Sequence, residues 1–347
     1  MSDDNLFFNG INGATGEYLL PPMLASDLVS LALGEKIDLS DRKDLAAKAE
    51  QLSESNFEMV AGLDPEQLDQ TGWGIIFPLN TDPAIREALL PLMELRKSQA
   101  SKVKATRYKE FSGASGYRPN ESNREFLARH GVEASQPADP DRGVPYYLLL
   151  VGSPEEIPFR FQYLLDVQYA VGRIWFETID KYAQYAQSVV AAETRRVVVG
   201  RKAVFFGVAN PDDPATTLSS NEMIKPLAEL MPRRLSDLQS TPWSVSTVLA
   251  SQSTKDRLAR ILNGSEVPSL LFTASHGMGF PNGDPRQLSH QGALLCQDWP
   301  GPRAWRVSIP ESHYFSADDV PSDANLQGLI AFHFACYGLG KIGRAHV

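Results

Sequence analysis

Cysteine is nearly absent from this chain: there are two in 347 residues. Two thiols cannot make a disulfide framework, so the expected setting is a reducing cytoplasm. Long apolar runs are missing as well. None reaches the roughly 18 residues that a membrane-spanning helix needs, so no membrane partner is expected. The start, "MSDDNLFFNG", lacks the basic residues and apolar stretch of a secretory signal. Positive charge is scarce: 33 Lys and Arg stand against 42 Asp and Glu, a net charge of −9, which argues against a nucleic-acid partner. There is no Walker A sequence, no HExxH and no dinucleotide fingerprint, and no His/Cys pair has zinc-ligand spacing. No cofactor or metal is therefore expected.

What remains is ordinary globular usage, 43% hydrophobic and 22% charged, long enough for one large domain or two small ones. Residues 1 to 70 differ from the rest. "FNGINGATGEYLLPPM" is punctuated by Gly, Asn and Pro, and two short helices are expected after it, over "SDLVSLALGE" and "SDRKDLAAKAEQL". From Trp73 onward apolar strands alternate with helical patterns. The strands are "GIIF", "YYLLLVG", "VQYAVGRIWF", "KAVFFGVA", "SVSTVLA", "SLLFTAS" and "GLIAFHFA". Asp82-Pro83 opens a helix with a kink expected at Pro91, and Ser253 with Asp256 has capping-box spacing. Such alternation predicts an α/β fold with a mostly parallel sheet covered on both faces.

In such sheets functional groups gather beyond the carboxyl ends of strands. His276 stands just past "SLLFTA", and Cys336 ends "GLIAFHFA". The 60 residues between them would not separate them in space if their strands are neighbours. A thiol of pKa about 8.5 is a poor nucleophile at neutral pH, and an adjacent imidazole can take its proton and later give it to a leaving amine. The backbone N–H groups of Gly277 and Cys336 are placed to hold the resulting oxyanion, and glycine at 277 avoids crowding the substrate carbonyl. Cys296 reads as core, His333 as a buried or cross-sheet residue, and His290 and His313 as solvent-facing.

The pair "FTASHGMG" and "HFACYG", in that order, resembles the caspase, gingipain and legumain clan of cysteine peptidases, in which one strand ends in His-Gly and a later one in Ala-Cys. The caspase form is Gln-Ala-Cys-x-Gly with its histidine about 50 residues upstream; here Phe334 replaces the Gln. "YYLLLVGSPEEIPF" followed by "YAVGRI" is closest in style to the gingipain branch. The resemblance covers residues 71 to 340 and implies a caspase-like α/β/α sandwich, preceded by an accessory or regulatory segment over 1–70. It implies a cytoplasmic cysteine endopeptidase with His276 and Cys336 as its catalytic dyad, a thioester intermediate, and a protein or peptide as substrate. Cleavage after Arg or Lys would follow if Asp166, in "LLDVQYAVGR", supplies the pocket acid; Asp318 and Asp319 compete for that role, and Ser316 with Asp319 also fits a cap. The alternatives are a catalytically silent scaffold of the same fold that binds a protein partner, and another Cys-His hydrolase or transferase. Oligomeric state is left open. The closing "KIGRAHV", Lys341 to Val347, resembles a translated sequencing adapter, so the expectation is that native sequence ends at Gly340 and that the sheet is truncated after the cysteine.

Overall fold

The computed structural model describes residues 5–20, 22–25, 59–134, 136–194, 200–238, 243–264 and 266–336. The two helices expected between residues 26 and 52, and the stretch from Tyr337 to Val347, lie outside these. The chain divides into two compact units, one of Met1–Leu28 with Ala191–Val347 and one of Val29–Val190. The boundary expected near residue 70 does not coincide with this division, because described residues of the N-terminal segment pair with strands of the later half.

That segment contributes three short strands, β1 (Asn5–Leu6), β2 (Gly10–Asn12) and β3 (Met23–Leu24), with β1 and β3 antiparallel. The unit of Val29–Val190 is built on β4 (Trp73–Ile76), β5 (Tyr108–Phe111), β6 (Tyr147–Val151) and β7 (Ala170–Ile174), all parallel, in the order β5-β4-β6-β7. Alternate residues of one strand point to opposite faces, and both faces are covered. Ile76, Leu148 and Leu150 meet Phe126, Leu127 and Phe161 from the helices Asn123–Arg129 and Phe159–Leu165. Ile75 and Val151 meet Leu89, Leu92, Met93, Tyr182 and Ala186 on the other face. Asp82 caps the helix Pro83–Ala88 through the Ala84 N–H, and the helical run breaks at Leu89 before resuming over Leu90–Ala100, with Pro91 in its first turn. At the carboxyl edge of this sheet, Asn80, Tyr117, Asn120, Glu155 and Glu156 line a cavity of about 250 Å³.

The other unit repeats the plan. Its strands β8 (Lys202–Gly207), β9 (Ser244–Leu249), β10 (Leu270–Ala274) and β14 (Ile330–Phe334) are parallel in the order β14-β10-β8-β9. Numbered along the chain, both sheets run second, first, third, fourth. The one mostly parallel sheet read from the alternation is thus two sheets. Strand periodicity reports that a segment is buried on both faces, but not which strand it pairs with. The helix Lys255–Leu262 lays Leu258, Ile261 and Leu262 on Val204, Phe206 and Leu271, a spacing that puts three apolar side chains on one helical face. Its cap is Thr254 rather than Ser253, whose buried hydroxyl sits 2.7 and 2.9 Å from the carbonyls of Gly207 and Val248 instead. The opposite sheet face packs Ala203, Phe205 and Ala274 on Ile224 and Ala228. Phe205, Phe272 and Phe332 stack across three strands on that face. Among the described residues the ladder runs out at β14, where Ile330, Phe332 and Phe334 are 70%, 55% and 41% exposed.

A smaller sheet, in the order β13-β12-β11-β2, uses β11 (Gly277–Gly279), β12 (Leu294–Leu295) and β13 (Tyr314–Phe315). Here the N-terminal strand β2 runs parallel to β11, and Ile11 is fully buried among Met278, Phe280, Leu295 and Tyr314. Among the described residues no helix is long and apolar enough to cross a membrane.

Candidate functional site

β10 and β14 are adjacent, parallel and in register, with Ala274 opposite Phe334. His276 and Cys336 each stand two residues beyond that last pair, so the two strands deliver them to the same end of the sheet. The switch in strand order falls between β8 and β10, the place where an open parallel sheet leaves a crevice beyond its carboxyl ends. His276 follows β10, and Asp213 lies in the loop after β8. They meet there: His276 Nε2 is 2.6 Å from Asp213 Oδ2, and both side chains are fully buried.

Asp213 is held from every side. Tyr18 donates its hydroxyl to Oδ1 at 2.6 Å, and Thr216 donates to Oδ2 at 2.6 Å. Burial pushes the Asp213 carboxyl up, but the bonds from His276, Thr216 and Tyr18 outweigh it and hold the group below the usual carboxylate range. Burial, together with the same carboxylate, raises the Tyr18 phenol above its ordinary value, so Tyr18 remains a donor. The loop itself is pinned. Asn210 donates its amide to the carbonyls of Cys296 and Trp299, and Gln297 bonds both the N–H and the carbonyl of Ala209. The rings of Tyr18 and Trp299 stand edge-on to His276, 5.7 and 6.1 Å away. With Nε2 on Asp213, Nδ1 is the ring nitrogen without a hydrogen-bond partner, and it too is buried.

Gly277 is required by contact. A Cβ there would lie 1.5 Å from the carbonyl oxygen of Cys336, so any other residue would drive the two strand ends apart. Cys336 is half-buried, and burial raises its thiol above the ordinary value, a shift that the Asn9 backbone N–H, which faces the sulfur, opposes without reversing. The Cys336 N–H donates to the Asn9 carbonyl at 2.9 Å. Gly13 N–H donates to the Gly279 carbonyl at 2.8 Å, and Gly277 is opposite Gly10. Of the two N–H groups expected to form an oxyanion hole, that of Cys336 thus donates to a carbonyl of this chain.

The other expected residues fall as follows. Cys296 is fully buried in the core, where burial raises its thiol strongly. His333 lies opposite Thr273 and its Nδ1 is 2.8 Å from the Thr273 hydroxyl, a cross-strand contact. His290 is buried rather than solvent-facing: Nδ1 is 2.7 Å from the Tyr314 hydroxyl and Nε2 is 3.1 Å from Asp318. His313 is half-buried against Trp305. Asp319 caps the turn begun by Ser316 and pairs with Lys255 at 2.7 Å. Asp166 is exposed, belongs to the unit without His276 and Cys336, and accepts a bond from the Val171 N–H at the end of its helix. Among the described residues no cluster of His, Cys, Asp or Glu could hold a metal ion.

Sequence reasoning passes over Asp213 and Tyr18. "NPDDP" looks like any turn before a proline-led helix; the available signal is that it directly follows an apolar strand, as His276 does. Tyr18 carries no local signal, because its partner is 195 residues away. The chain matches no protein-family model, no curated protein and no solved structure.

Proposed function

We propose that the protein is a cysteine endopeptidase of the caspase-like kind, with Cys336 as nucleophile and His276 as its acid and base. The observation that carries the reading is the register-matched delivery of His276 and Cys336 to one sheet end, with a buried carboxylate on the Nε2 of the imidazole. Asp213 is a positioning residue. Its bond to Nε2 fixes the ring and its tautomer and leaves Nδ1 to exchange a proton with the thiol and the leaving amine. The thiolate adds to the substrate carbonyl, the N–H groups of Gly277 and Cys336 stabilise the oxyanion, and the amine leaves with the proton carried by His276. Water then hydrolyses the thioester. The substrate class is protein or peptide.

A thiol-reactive electrophile and a peptide library test this together. Cys336→Ala and His276→Ala should each lower turnover by about three orders of magnitude or more, while Cys296→Ser, in a solvent-excluded thiol, should leave turnover within a few-fold. A second reading, a silent scaffold of this fold, is favoured by the raised Cys336 thiol. It predicts no selective labelling of Cys336 and no hydrolysis by the wild type. Wild-type turnover retained in Cys336→Ala would end the peptidase reading.

A further inference from the structure

The sheet of the Val29–Val190 unit has a crevice of its own, and the proposed peptidase chemistry makes no use of it. Its order β5-β4-β6-β7 reverses between β4 and β6, so the chain leaves the carboxyl ends of those two strands in opposite directions. Ligands of open parallel sheets bind at such a point. The cavity of about 250 Å³ lies there. Pro78 and Asn80 follow β4, Tyr117 follows β5, and Glu155 and Glu156 follow β6. Within its own sheet the cavity holds the place that the His276–Asp213 pair holds in the sheet of β8 and β10.

The loops around it are tied down. The pairing of β4 with β5 continues past the strands, with Tyr117 N–H donating to the Phe77 carbonyl and Leu79 N–H to the Tyr117 carbonyl, both at 2.8 Å. Ser153 and Glu156 close a reciprocal turn: Ser153 N–H donates to Glu156 Oε2 at 2.8 Å, and Glu156 N–H to Ser153 Oγ at 3.2 Å. Arg173 of β7 clamps the same loop, donating to the carbonyls of Gly152 and Ile157 at 2.9 and 2.6 Å. The loops after β4 and β6 touch, since a Cβ on Gly152 would lie 3.2 Å from Pro78 Cγ. A site whose loops are already ordered gives up little entropy on binding.

The lining selects by charge. Pro78, Tyr117, Pro119 and Pro158 supply apolar walls, and the polar groups are two amides, Asn80 and Asn120, with two carboxylates, Glu155 and Glu156. No Lys, Arg or His lines the cavity. Arg173 offsets part of the carboxylate charge from outside the lining, its donors committed to Gly152, Ile157 and Gln162. An anion here would meet two carboxylates, and a wholly apolar ligand would cover them without a partner. A short alkyl stem with a cationic head suits both parts: the stem lies on proline and tyrosine, and the head donates to carboxylate and amide oxygens. The volume falls below the roughly 300–1,000 Å³ of pockets for drug-sized ligands, which limits the occupant to about one side chain.

We infer that this cavity binds a small organic cation, an alkylguanidinium or alkylammonium, as a free molecule or as the side chain of an arginine or lysine in a peptide. The site is built from residues of the unit without His276 and Cys336, so it stands or falls separately from the peptidase reading.

The test is calorimetric titration of the full chain, carrying Cys336→Ala so that no peptide is cut there. The probes are butylguanidinium and butylammonium, with valeramide and valerate as neutral and anionic counterparts of similar size. Both cations should bind at one site per chain in the millimolar range, and the two counterparts at least about tenfold more weakly. Glu155→Gln with Glu156→Gln should weaken the cations about tenfold or more without lowering the melting temperature, because glutamine keeps an oxygen for the Ser153 N–H. Asn80→Lys, which tethers an ammonium at the cavity, should abolish binding, and it decides the matter if the double variant melts early. Acetyl-Gly-Arg-Gly-amide separates the sources: weaker binding than butylguanidinium marks a free amine, equal or tighter binding a peptide side chain, and both uphold the site. Valerate or valeramide binding as well as the cations, cation affinity unchanged by these substitutions, or no binding of either cation overturns the inference. Loss of peptidase activity in any assay does not bear on it.

Discussion

Asp213→Asn is the sharpest perturbation the site offers. The change is nearly isosteric, but it replaces one oxygen of a fully buried carboxylate with an NH2 group that donates. Three donors converge on Asp213, from Tyr18, Thr216 and His276, each at 2.6 Å. Whichever way the amide turns, at least one of them faces another donor and must either give up its bond or turn its own proton away to accept. Hydrogen bonds to a charged group contribute about 1.5–3 kcal/mol each, so losing one or two costs about 2–5 kcal/mol. For a unit of this size that lowers the melting temperature by about 5–15 °C. If the NH2 turns to His276, Nε2 must become an acceptor and the proton moves to Nδ1, which then cannot take one from the thiol. Replacing an orienting carboxylate in this way costs about 10⁴ in kcat in a serine-protease triad, and about 10³–10⁴ is expected here. The assay pairs melting by circular dichroism with kcat on a fixed peptide, and the exposed neighbour Asp212→Asn serves as control. A variant melting within about 1 °C of wild type, the behaviour of a surface substitution, would refute the hub. Normal stability with turnover lost would retain His276 orientation and discard the energetic argument.

Two further outcomes follow from the same geometry. Gly277→Ala should abolish labelling of Cys336 and lower the melting temperature, since its methyl would occupy the Cys336 carbonyl; unchanged labelling would show that the strand ends are not in contact. Acid should also separate wild type from Asp213→Asn. The folded Asp213 carboxyl lies below its unfolded value of about 3.9, so the unfolded chain binds more protons and the stabilisation is complete above roughly pH 5. It is lost as pH falls through the folded value. The gap in melting temperature between the two proteins should therefore narrow on acidification, and a gap constant through the acid range would contradict the assignment.

Much of this fold is legible in the sequence because burial on both faces leaves a local trace. "YYLLLV" and "SLLFTA" are continuous apolar runs, and a run of that kind announces a parallel strand wherever it pairs. Tyr108–Phe111 leaves no such trace: Tyr108, Lys109 and Glu110 are only half-buried, and the strand sits at a sheet edge. The placement of His276 and Cys336 is legible for the same reason, since strand ends can be found from the runs. The N-terminal contribution is not. Gly10–Asn12 is too short to show a period, and what makes it a strand is its pairing with Gly277–Gly279, more than 260 residues later. A polar contact between residues as far apart as Tyr18 and Asp213, 195 positions, is specified by topology, and a single sequence encodes topology only globally.

The position of β14 at the edge of its sheet, among the described residues, has a dynamic consequence. Among those residues His276 follows an interior strand bonded on both sides, whereas Cys336 follows one bonded on a single side, its apolar face partly exposed. Strands with one partner and exposed backbone open at lower free energy than the core they adjoin. The assembly is therefore half fixed and half detachable: Asp213 and His276 are set in the rigid interior, while the sulfur rides on the part that frays first. Amide exchange should report this as fast exchange along Ile330–Phe334 beside slow exchange along Leu270–Ala274. Any partner that added a strand to that edge would tighten the nucleophile against its base without touching either residue.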